Sequence, residues 1–292
     1  MIPYSGTVIR PPSEAESLIF QVTLGCSDNG CVFCPAYKDK KFSIKALSVI
    51  EAEMRRASEA FPDTRRIFLA DGDALAAGPE VLRSVCAIAN RYFPKLTRIA
   101  TYGSAKSIEL LSVADLQTLH LCKLSMVYIG FETGDPLVYA STRKYGSPQK
   151  NIEACQKVKA AGLTANVTVI LGLGGKKFSH DHAVNTALLL NEAQPDQIAV
   201  LTLMIAHGTP LETQVQRGTF SPLKTLEFLA ELKLMLENIK DFRCIFLADH
   251  ASNYLPVRAR FPRGRNQLIY AIGSILSAGD PRLLVSECRR SL

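Results

Sequence analysis

The sequence predicts an α/β fold, a partial or full (β/α) TIM-like barrel with a short C-terminal extension. Short apolar, β-branched runs alternate with longer amphipathic runs along most of the chain, a pattern typical of a parallel sheet with right-handed crossovers. The length of 292 residues is normal for one such barrel. The core barrel with its N-terminal lead-in is expected over residues 1–255, and a helical extension over residues 256–292.

Seven runs rich in β-branched and aromatic residues are predicted as strands. They are 17–24, 66–70, 98–101, 126–131, 165–171, 197–204 and 244–248. Six amphipathic runs, several of which open at proline or serine, are predicted as helices. They are 44–60, 79–92, 113–121, 148–161, 180–191 and 222–239. His120 and His182 fall within two of these helices and are expected on their surfaces.

Composition limits the function classes. With 47% hydrophobic and 21% charged residues, the chain can bury a substantial core. No apolar run is long enough to span a bilayer, and residues 1–10 lack the basic start and apolar core of a signal peptide. A reducing, cytoplasmic setting without a membrane partner is therefore expected. The net charge of +7 (34 minus 27) permits an anionic partner without requiring one.

Three of the eight cysteines, Cys26, Cys31 and Cys34, lie on one short segment with no fourth cysteine or histidine nearby. Three thiolates suit an iron–sulfur cluster that leaves one iron open for chemistry. Structural zinc, which takes four ligands, and inert thiols are the alternatives. Phe33 would shield such a cluster or stack on a bound aromatic ring. The other cysteines are expected as small buried hydrophobes; they are Cys86, Cys122, Cys155, Cys244 and Cys288.

Polar residues and glycines follow several predicted strands, at the ends where parallel barrels gather their working residues. Asp71-Gly72-Asp73 follows the second strand, and Glu132 ends the fourth. Their carboxylates would accept hydrogen bonds from a ribose or an amine, or cap the next helix. Gly72 would allow a ligand to approach closely. Gly172 and Gly174 follow the fifth strand and would leave backbone exposed to a flat ligand, with a plain strand-to-helix turn as the alternative.

The segment from His250 to Tyr254 follows the last predicted strand and carries four polar side chains in five positions. Such density predicts a substrate pocket formed by His250, Asn253 and Tyr254, while satisfied loop residues are the alternative. The arginines between Arg258 and Arg265 would pair with carboxylates or phosphates, which favours an anionic substrate.

These motifs, in this order, resemble those of radical S-adenosylmethionine (radical SAM) enzymes, in particular the Elongator-type and oxygen-independent coproporphyrinogen-oxidase-type subgroup. The resemblance covers residues 17–255. It lies in the cysteine loop, Phe-Leu-Ala-Asp-Gly-Asp, Gly-Phe-Glu-Thr-Gly-Asp, Ile-Leu-Gly-Leu-Gly-Gly, and Leu-Thr-Leu-Met with Gly-Thr-Pro-Leu. One departure is the four residues between Cys26 and Cys31, where the usual loop has three; we interpret it as a longer first loop.

The resemblance implies a [4Fe-4S] cluster on Cys26, Cys31 and Cys34 whose open iron binds S-adenosylmethionine (SAM). It implies reductive cleavage of SAM to a 5′-deoxyadenosyl radical that abstracts hydrogen from a substrate, and an electron donor such as flavodoxin or ferredoxin. The implied SAM contacts are Asp71, Gly72 and Asp73 for the methionine amine, Glu132 for the ribose or amine, Lys144 for the methionine carboxylate, and Phe33, Gly172, Gly174 and Leu203 around the adenine.

Three function classes stay open. The leading one is a radical SAM enzyme acting on an anionic small molecule. The second applies the same chemistry to tRNA or a peptide. The excess of basic over acidic residues favours RNA slightly, but we expect no RNA-binding module within these 292 residues, so nucleic acid is not favoured. The third is a metal-stabilised barrel that only binds a ligand.

Overall fold

The computed structural model describes residues 2–291, which divide into two compact units. The first unit comprises the chain up to Asn29 together with Ala36–Ile129 and Glu153–Ala165. The second comprises Gly30–Pro35, Gly130–Ile152 and the chain from Asn166 onwards.

Parallel strands with helical crossovers make up the first unit. Its elements are β1 (Leu18–Gln21), β2 (Thr23–Leu24), β3 (Ser43–Ile44), α1 (Leu47–Ala60), β4 (Arg66–Ala70), α2 (Pro79–Tyr92), β5 (Arg98–Gly103), α3 (Ala105–Glu109), α4 (Val113–Leu121) and β6 (Leu124–Glu132). Strands β1, β4, β5 and β6 follow one another in the sheet in parallel pairs, while β2 and β3 form a separate antiparallel pair. Strand β6 continues into the second unit from Gly130.

One face of this sheet carries an aromatic cluster. Phe68, Tyr102 and Tyr128 alternate with residues of the opposite face, as strand geometry requires, and their rings meet edge to face at centroid distances of 5.0–6.0 Å. Val8 of the N-terminal segment packs against the cluster. The hydroxyl of Tyr128 donates to the buried carboxylate of Glu14 at 2.6 Å, so the N-terminal segment is anchored on this face.

The second unit continues the α/β alternation. Its elements are α5 (Pro136–Ser141), α6 (Pro148–Ala160), β7 (Thr164–Leu171), α7 (Gly175–Ala193), β8 (Gln197–Thr202), α8 (Pro210–Gln216), α9 (Thr225–Asn238), β9 (Cys244–Ala248), β10 (Val257–Phe261) and α10 (Arg265–Ala278), of which α6 ends and β7 begins in the first unit. Strands β7, β8 and β9 pair in parallel, and β10 pairs antiparallel with β9. Helix α9 packs against both α7 and α10.

The α/β architecture predicted from the sequence is confirmed, and most predicted strands and helices lie within a few residues of the observed ones. The strand predicted over residues 17–24 is split at Val22, because β2 leaves the sheet to pair with β3. The prediction of a helical extension over residues 256–292 is wrong in its first part, because this segment begins with strand β10. In β10, Arg258 and Arg260 are exposed and their neighbours are more buried. This alternation of exposed and buried residues is typical of a strand, whereas the arginines alone indicate only a basic stretch.

Two expectations about burial also fail. Cys288 is exposed and Cys122 half-buried, unlike the remaining three of the five scattered cysteines. His182 is 1% exposed in α7, because that helix is covered by α9; His120 is exposed as predicted. Among the described residues, no helix is both long and apolar enough to cross a membrane.

Candidate functional site

The three clustered cysteines do not all belong to one unit. Cys26 belongs to the first unit and is half-buried, whereas Cys31 and Cys34 belong to the second, where Cys31 is buried. A turn over residues 27–30 separates them, and the side chain of Asn29 donates to the backbone carbonyl of Tyr37 at 2.5 Å. Among residues 2–291, no group of three His, Cys, Asp or Glu side chains is arranged to hold a single metal ion.

The segment after β4 lies directly against Cys26. A Cβ atom added to Gly72 would stand 2.6 Å from Cβ of Cys26 and 2.9 Å from the ring of Tyr37. The amide of Gly72 also donates to the carbonyl of Gly25 at 3.0 Å. Gly72 is therefore occupied by the cysteine loop, and the expectation that it leaves room for a ligand is wrong on this side of its backbone.

Asp71 is fully buried, and its carboxylate is directed at the residues around the first cysteine. It accepts from the amide of Gly25 at 2.7 Å, from Nε2 of Gln21 at 2.9 Å and from Nζ of Lys40 at 3.3 Å. Its φ is +72°, in the left-handed region that non-glycine residues seldom adopt. Such backbone strain persists only where the surroundings fix it, as these three donors do.

Asp73 is also fully buried and accepts four hydrogen bonds. Its oxygens receive the hydroxyls of Ser27 at 2.5 Å, Ser104 at 2.7 Å and Ser107 at 2.7 Å, and the amide of Ser104 at 3.2 Å. Asp73 precedes a one-turn 3-10 helix over Ala74–Ala77 without capping it through its side chain. The helix-cap interpretation of Asp73 is therefore wrong.

Glu132 and Lys144 form an ion pair with each other, although the family resemblance implies contacts with different parts of SAM. Both side chains are about nine-tenths buried, and Nζ of Lys144 also donates to the carbonyl of Gly130 at 2.7 Å. Burial works to lower the pKa of Lys144, but the charge of Glu132, with a further contribution from the Cys31 thiolate, holds it well above its ordinary value. Helix α5 is capped by Asp135, so Glu132 is not a helix cap.

The second and third cysteines lie on a segment that is fixed by its backbone. The amide of Val32, next to Cys31, donates to the carbonyl of Thr142 at 3.0 Å, and its carbonyl accepts from the amide of Leu211 at 3.1 Å. Phe33 is half-buried, as is Cys34. The position of Phe33 next to the last cysteine keeps its predicted shielding role open.

The turn between β7 and α7 is packed against neighbouring helices. Gly172, with φ +81°, would place an added Cβ 2.2 Å from the ring of Phe228, and at Gly174 such an atom would lie 3.1 Å from His182. Gly172 and Gly174 are buried, so the expected exposed backbone is wrong, and the alternative of a strand-to-helix turn is correct. The amide of Gly172 donates to the buried carboxylate of Glu231 at 2.6 Å.

Leu203, expected beside the adenine, is 7% exposed and follows β8. Its amide donates to the carbonyl of Leu171 at 2.9 Å, and its carbonyl accepts from Nη2 of Arg290 at 3.1 Å. These contacts place Leu203 against the end of β7, next to the turn that carries Gly172.

The predicted substrate segment after β9 is tied into the second unit. Asn253 accepts from the hydroxyl of Thr202 at 2.7 Å and donates to the carbonyl of Val200 at 2.7 Å. Tyr254 is 6% exposed; its hydroxyl accepts from Nη1 of Arg290 at 2.5 Å, and that guanidinium lies 3.9 Å from its ring centroid. Asn253 and Tyr254 thus have the internal partners of satisfied loop residues.

His250 differs from these two, because it is only half-buried. Its Nδ1 accepts from the amide of Ser252 at 3.1 Å, and burial lowers its pKa against the opposing charge of Asp249. Downstream, Arg258 pairs with Asp249, and Arg265 pairs with Asp241 at 3.0 Å. Arg260 and Arg263 are exposed.

Several residues that organise these segments were missed by the sequence reasoning. Ser27 escaped because an isolated serine in a loop carries no distinctive pattern, although it lies next to Cys26. Glu231 and Arg290 lie far along the chain from the loops they bind, and no local spacing indicates such long-range contacts.

Comparison with known protein families identifies one match. Residues 20–190, which contain the three cysteines, Asp71 to Asp73, Glu132 and Gly172, match the model of the Radical SAM superfamily. No curated protein matches the chain.

Solved structures of similar fold come from several enzymes. Methylornithine synthase (PylB) is 17% identical over 76% of this chain and 63% of its own, with a TM-score of 0.54. Elp3 from the archaeon Methanocaldococcus infernus is 14% identical over 80% and 59% of the two chains, with a TM-score of 0.51. Coproporphyrinogen III oxidase (HemN) from Escherichia coli is 15% identical over 65% and 44%, with a TM-score of 0.53.

The chain thus spans between 44% and 63% of the length of these three proteins. At such low identity the likeness is one of fold, the TIM-like α/β fold that the sequence predicted. The narrower subgroup of Elongator-type and coproporphyrinogen-oxidase-type enzymes stays a prediction.

Proposed function

This chain belongs to the radical SAM superfamily, whose enzymes use a [4Fe-4S] cluster and SAM, and we propose that Cys26, Cys31 and Cys34 hold its cluster. The group, when bound, supplies the electron that cleaves SAM reductively and so generates the radical that abstracts hydrogen from a substrate. Membership of the family supports an enzyme over a barrel that only binds a ligand.

The position of the cysteine triplet inside the matching region carries the proposal. The other five cysteines form no second triplet in the sequence, which supports a single cluster. The residues around the triplet fit such a group, because the charge of Cys31 contributes to raising the pKa of Lys144 and this thiol therefore has a cationic neighbour.

For SAM, we propose Glu132 and Lys144 as the polar contacts. Their ion pair places a carboxylate and an ammonium group at the end of β6. The methionine part of SAM carries an ammonium group and a carboxylate, which complement these two charges. The φ of +64° at Glu132 is a second unusual backbone position at a strand end, and such positions cluster at binding sites. Phe33 and Leu203 would contribute apolar surface for the adenine. Gly172 and Gly174 would contribute to the adenine site only by shaping the turn between β7 and α7.

The substrate we propose is an anionic small molecule. The exposed arginines Arg260 and Arg263 support this, since neither is paired in the described part of the chain. We propose His250 as the substrate contact of the segment after β9; its partial exposure supports this, whereas Asn253 and Tyr254 are engaged internally. We propose tRNA or a peptide as the second substrate class, and a flavodoxin or ferredoxin as the electron donor.

Anaerobic reconstitution with iron and sulfide, followed by an assay for 5′-deoxyadenosine, tests this function. Alanine at Cys26, Cys31 or Cys34 should remove both the cluster and SAM cleavage. Cys288→Ala, at an exposed cysteine outside the triplet, is the matched control and should retain both. Formation of 5′-deoxyadenosine by the triplet variants at the wild-type rate would refute the ligand assignment.

A further inference from the structure

Cys26 is enclosed by three consecutive residues of the loop after β4. Cβ and Sγ of Cys26 lie where a side chain of residue 72 would begin. A Cβ atom added to Gly72 would be only 2.6 Å from Cβ and 3.0 Å from Sγ of Cys26. Real Cβ atoms do not approach other atoms this closely, so only glycine fits here without moving the cysteine.

The residues on both sides of Cys26 are held by the same loop. Before it, Gly25 donates its amide to Asp71 at 2.7 Å and accepts from the amide of Gly72 at 3.0 Å. After it, the hydroxyl of Ser27 donates to Asp73 at 2.5 Å. The position of Cys26 is therefore determined by a main-chain contact, two buried carboxylates and one steric contact.

These carboxylates have little capacity left for a ligand. An ionised carboxylate has about four acceptor positions. Asp73 uses four, all for donors of the protein, and Asp71 uses three while having no exposed surface. An incoming ammonium group would have to displace a serine hydroxyl or the Ser104 amide from Asp73, and it would find no exposed surface on Asp71.

We propose that Asp71-Gly72-Asp73 is the positioning element of Cys26 and that its two carboxylates do not contact the methionine amine of SAM. The inference rests on the proposed function, in which Cys26 is an iron ligand. It deepens that function by assigning the acidic segment to the geometry of the cluster ligand. None of the three residues is a catalytic residue in this assignment; each acts through the cysteine loop.

The first test is Gly72→Ala, measured as iron and acid-labile sulfide per chain after anaerobic reconstitution of the full-length protein. The added methyl group displaces Cys26, so cluster content should fall; if cluster binding bears the usual cost of overpacking, the fall is about tenfold. Gly273→Ala is the control, because a Cβ there meets only the flexible end of Lys233 at 3.5 Å. A segment that bound only the SAM amine would predict normal cluster content and weaker SAM binding.

The second test compares two serines that donate to the same carboxylate. Ser27→Ala removes the bond between Asp73 and the cysteine loop, whereas Ser107→Ala removes a bond between Asp73 and α3. Hydrogen exchange before reconstitution should quicken about tenfold in a peptide spanning residues 22–30 for Ser27→Ala, the loss expected for one hydrogen bond to a charged group. For Ser107→Ala it should quicken only in α3.

The two tests separate this inference from the proposed function. A wild-type protein that assembles no cluster refutes the proposed function. The hydrogen-exchange rates over residues 22–30 still test the positioning role in that case. Normal cluster content in Gly72→Ala, or unchanged exchange over residues 22–30 in Ser27→Ala, overturns the inference even if the wild-type protein cleaves SAM. Should Gly72→Ala fail to fold, the serine pair decides.

Discussion

The carboxylate of Glu132, the last residue of β6, is paired with the ammonium of Lys144, and both side chains are about nine-tenths buried. Two charges removed from water in this way depend on each other, because either one alone would be a buried, uncompensated ion. Glu132 also has a φ of +64°, in the left-handed region that non-glycine residues seldom adopt.

Lys144→Met should therefore destabilise the protein by about 3–5 kcal/mol, the usual penalty for leaving one partner of a buried pair behind. Combining it with Glu132→Leu should restore most of the loss, since no buried charge remains. Urea unfolding of the two single variants, the double variant and wild type gives the coupling. If Lys144→Met unfolds at the wild-type urea concentration, the pair does not stabilise the fold.

Two glycines with positive φ separate backbone strain from packing. Gly208→Ala, at φ +76° with open space around it, should lose only about 1 kcal/mol of stability from strain. Gly172→Ala, at φ +81°, also drives a methyl group into Phe228 and should lose a further 1–3 kcal/mol or so. Phe228→Leu in the Gly172→Ala background should recover part of that second loss. Equal melting temperatures for Gly172→Ala and Gly208→Ala would contradict the tight packing of the turn.

Arg290 anchors the C-terminal residues to the second unit. It is 8% exposed and donates to the carbonyls of Ser252 at 2.6 Å and Leu203 at 3.1 Å. Arg290→Met should lower the free energy of unfolding by about 3 kcal/mol, because these buried acceptors lose a charged donor. Arg289→Met, at the exposed neighbouring position, is the control and should change it by less than about 0.5 kcal/mol. A similar loss in both variants would mean that burial of Arg290 is unimportant.

His250 predicts a pH dependence of stability. Because burial lowers its pKa below the ordinary 6.5, folding favours the neutral ring. Its contribution is therefore full above pH 6.5 and is lost as the pH falls through the lowered pKa. The difference in unfolding free energy between wild type and His250→Asn should shrink, or reverse, between about pH 7 and about pH 5. A difference that stays constant over this range would show that folding does not shift the pKa of His250.

The architecture was predictable from the sequence because the hydrophobic periodicity and the positions of turn-forming residues agree along most of the chain. The runs at 66–70, 79–92, 113–121 and 244–248 were placed with the observed bounds, since each is a short apolar strand or an amphipathic helix between clear turns. Strand β10 was missed because the exposed Arg258 and Arg260 dominate its composition, although they alternate with apolar residues. The short helix α3 follows a strand too closely for any helical period to develop.

The positions of the site motifs were predictable from the sequence, whereas the hydrogen-bond partners of their side chains were less so. Spacing identified the cysteine triplet and the strand-end residues, and the family match covers the same region. Sequence patterns do not show which donors a buried carboxylate will meet. Asp73 therefore looked available for a ligand, whereas Ser104 and Ser107 occupy it in the fold. Tyr254 looked like a pocket residue for the same reason, since its partner Arg290 lies 36 positions away.

The most direct test of the central claim is the stoichiometry of iron, sulfide and 5′-deoxyadenosine in anaerobically reconstituted protein. The account predicts about four iron and about four sulfide per chain, as for one [4Fe-4S] cluster, and release of 5′-deoxyadenosine once a strong reductant and SAM are added. It also predicts loss of both in Cys31→Ala. Zinc without acid-labile sulfide, or SAM left intact by a fully loaded cluster, would contradict it.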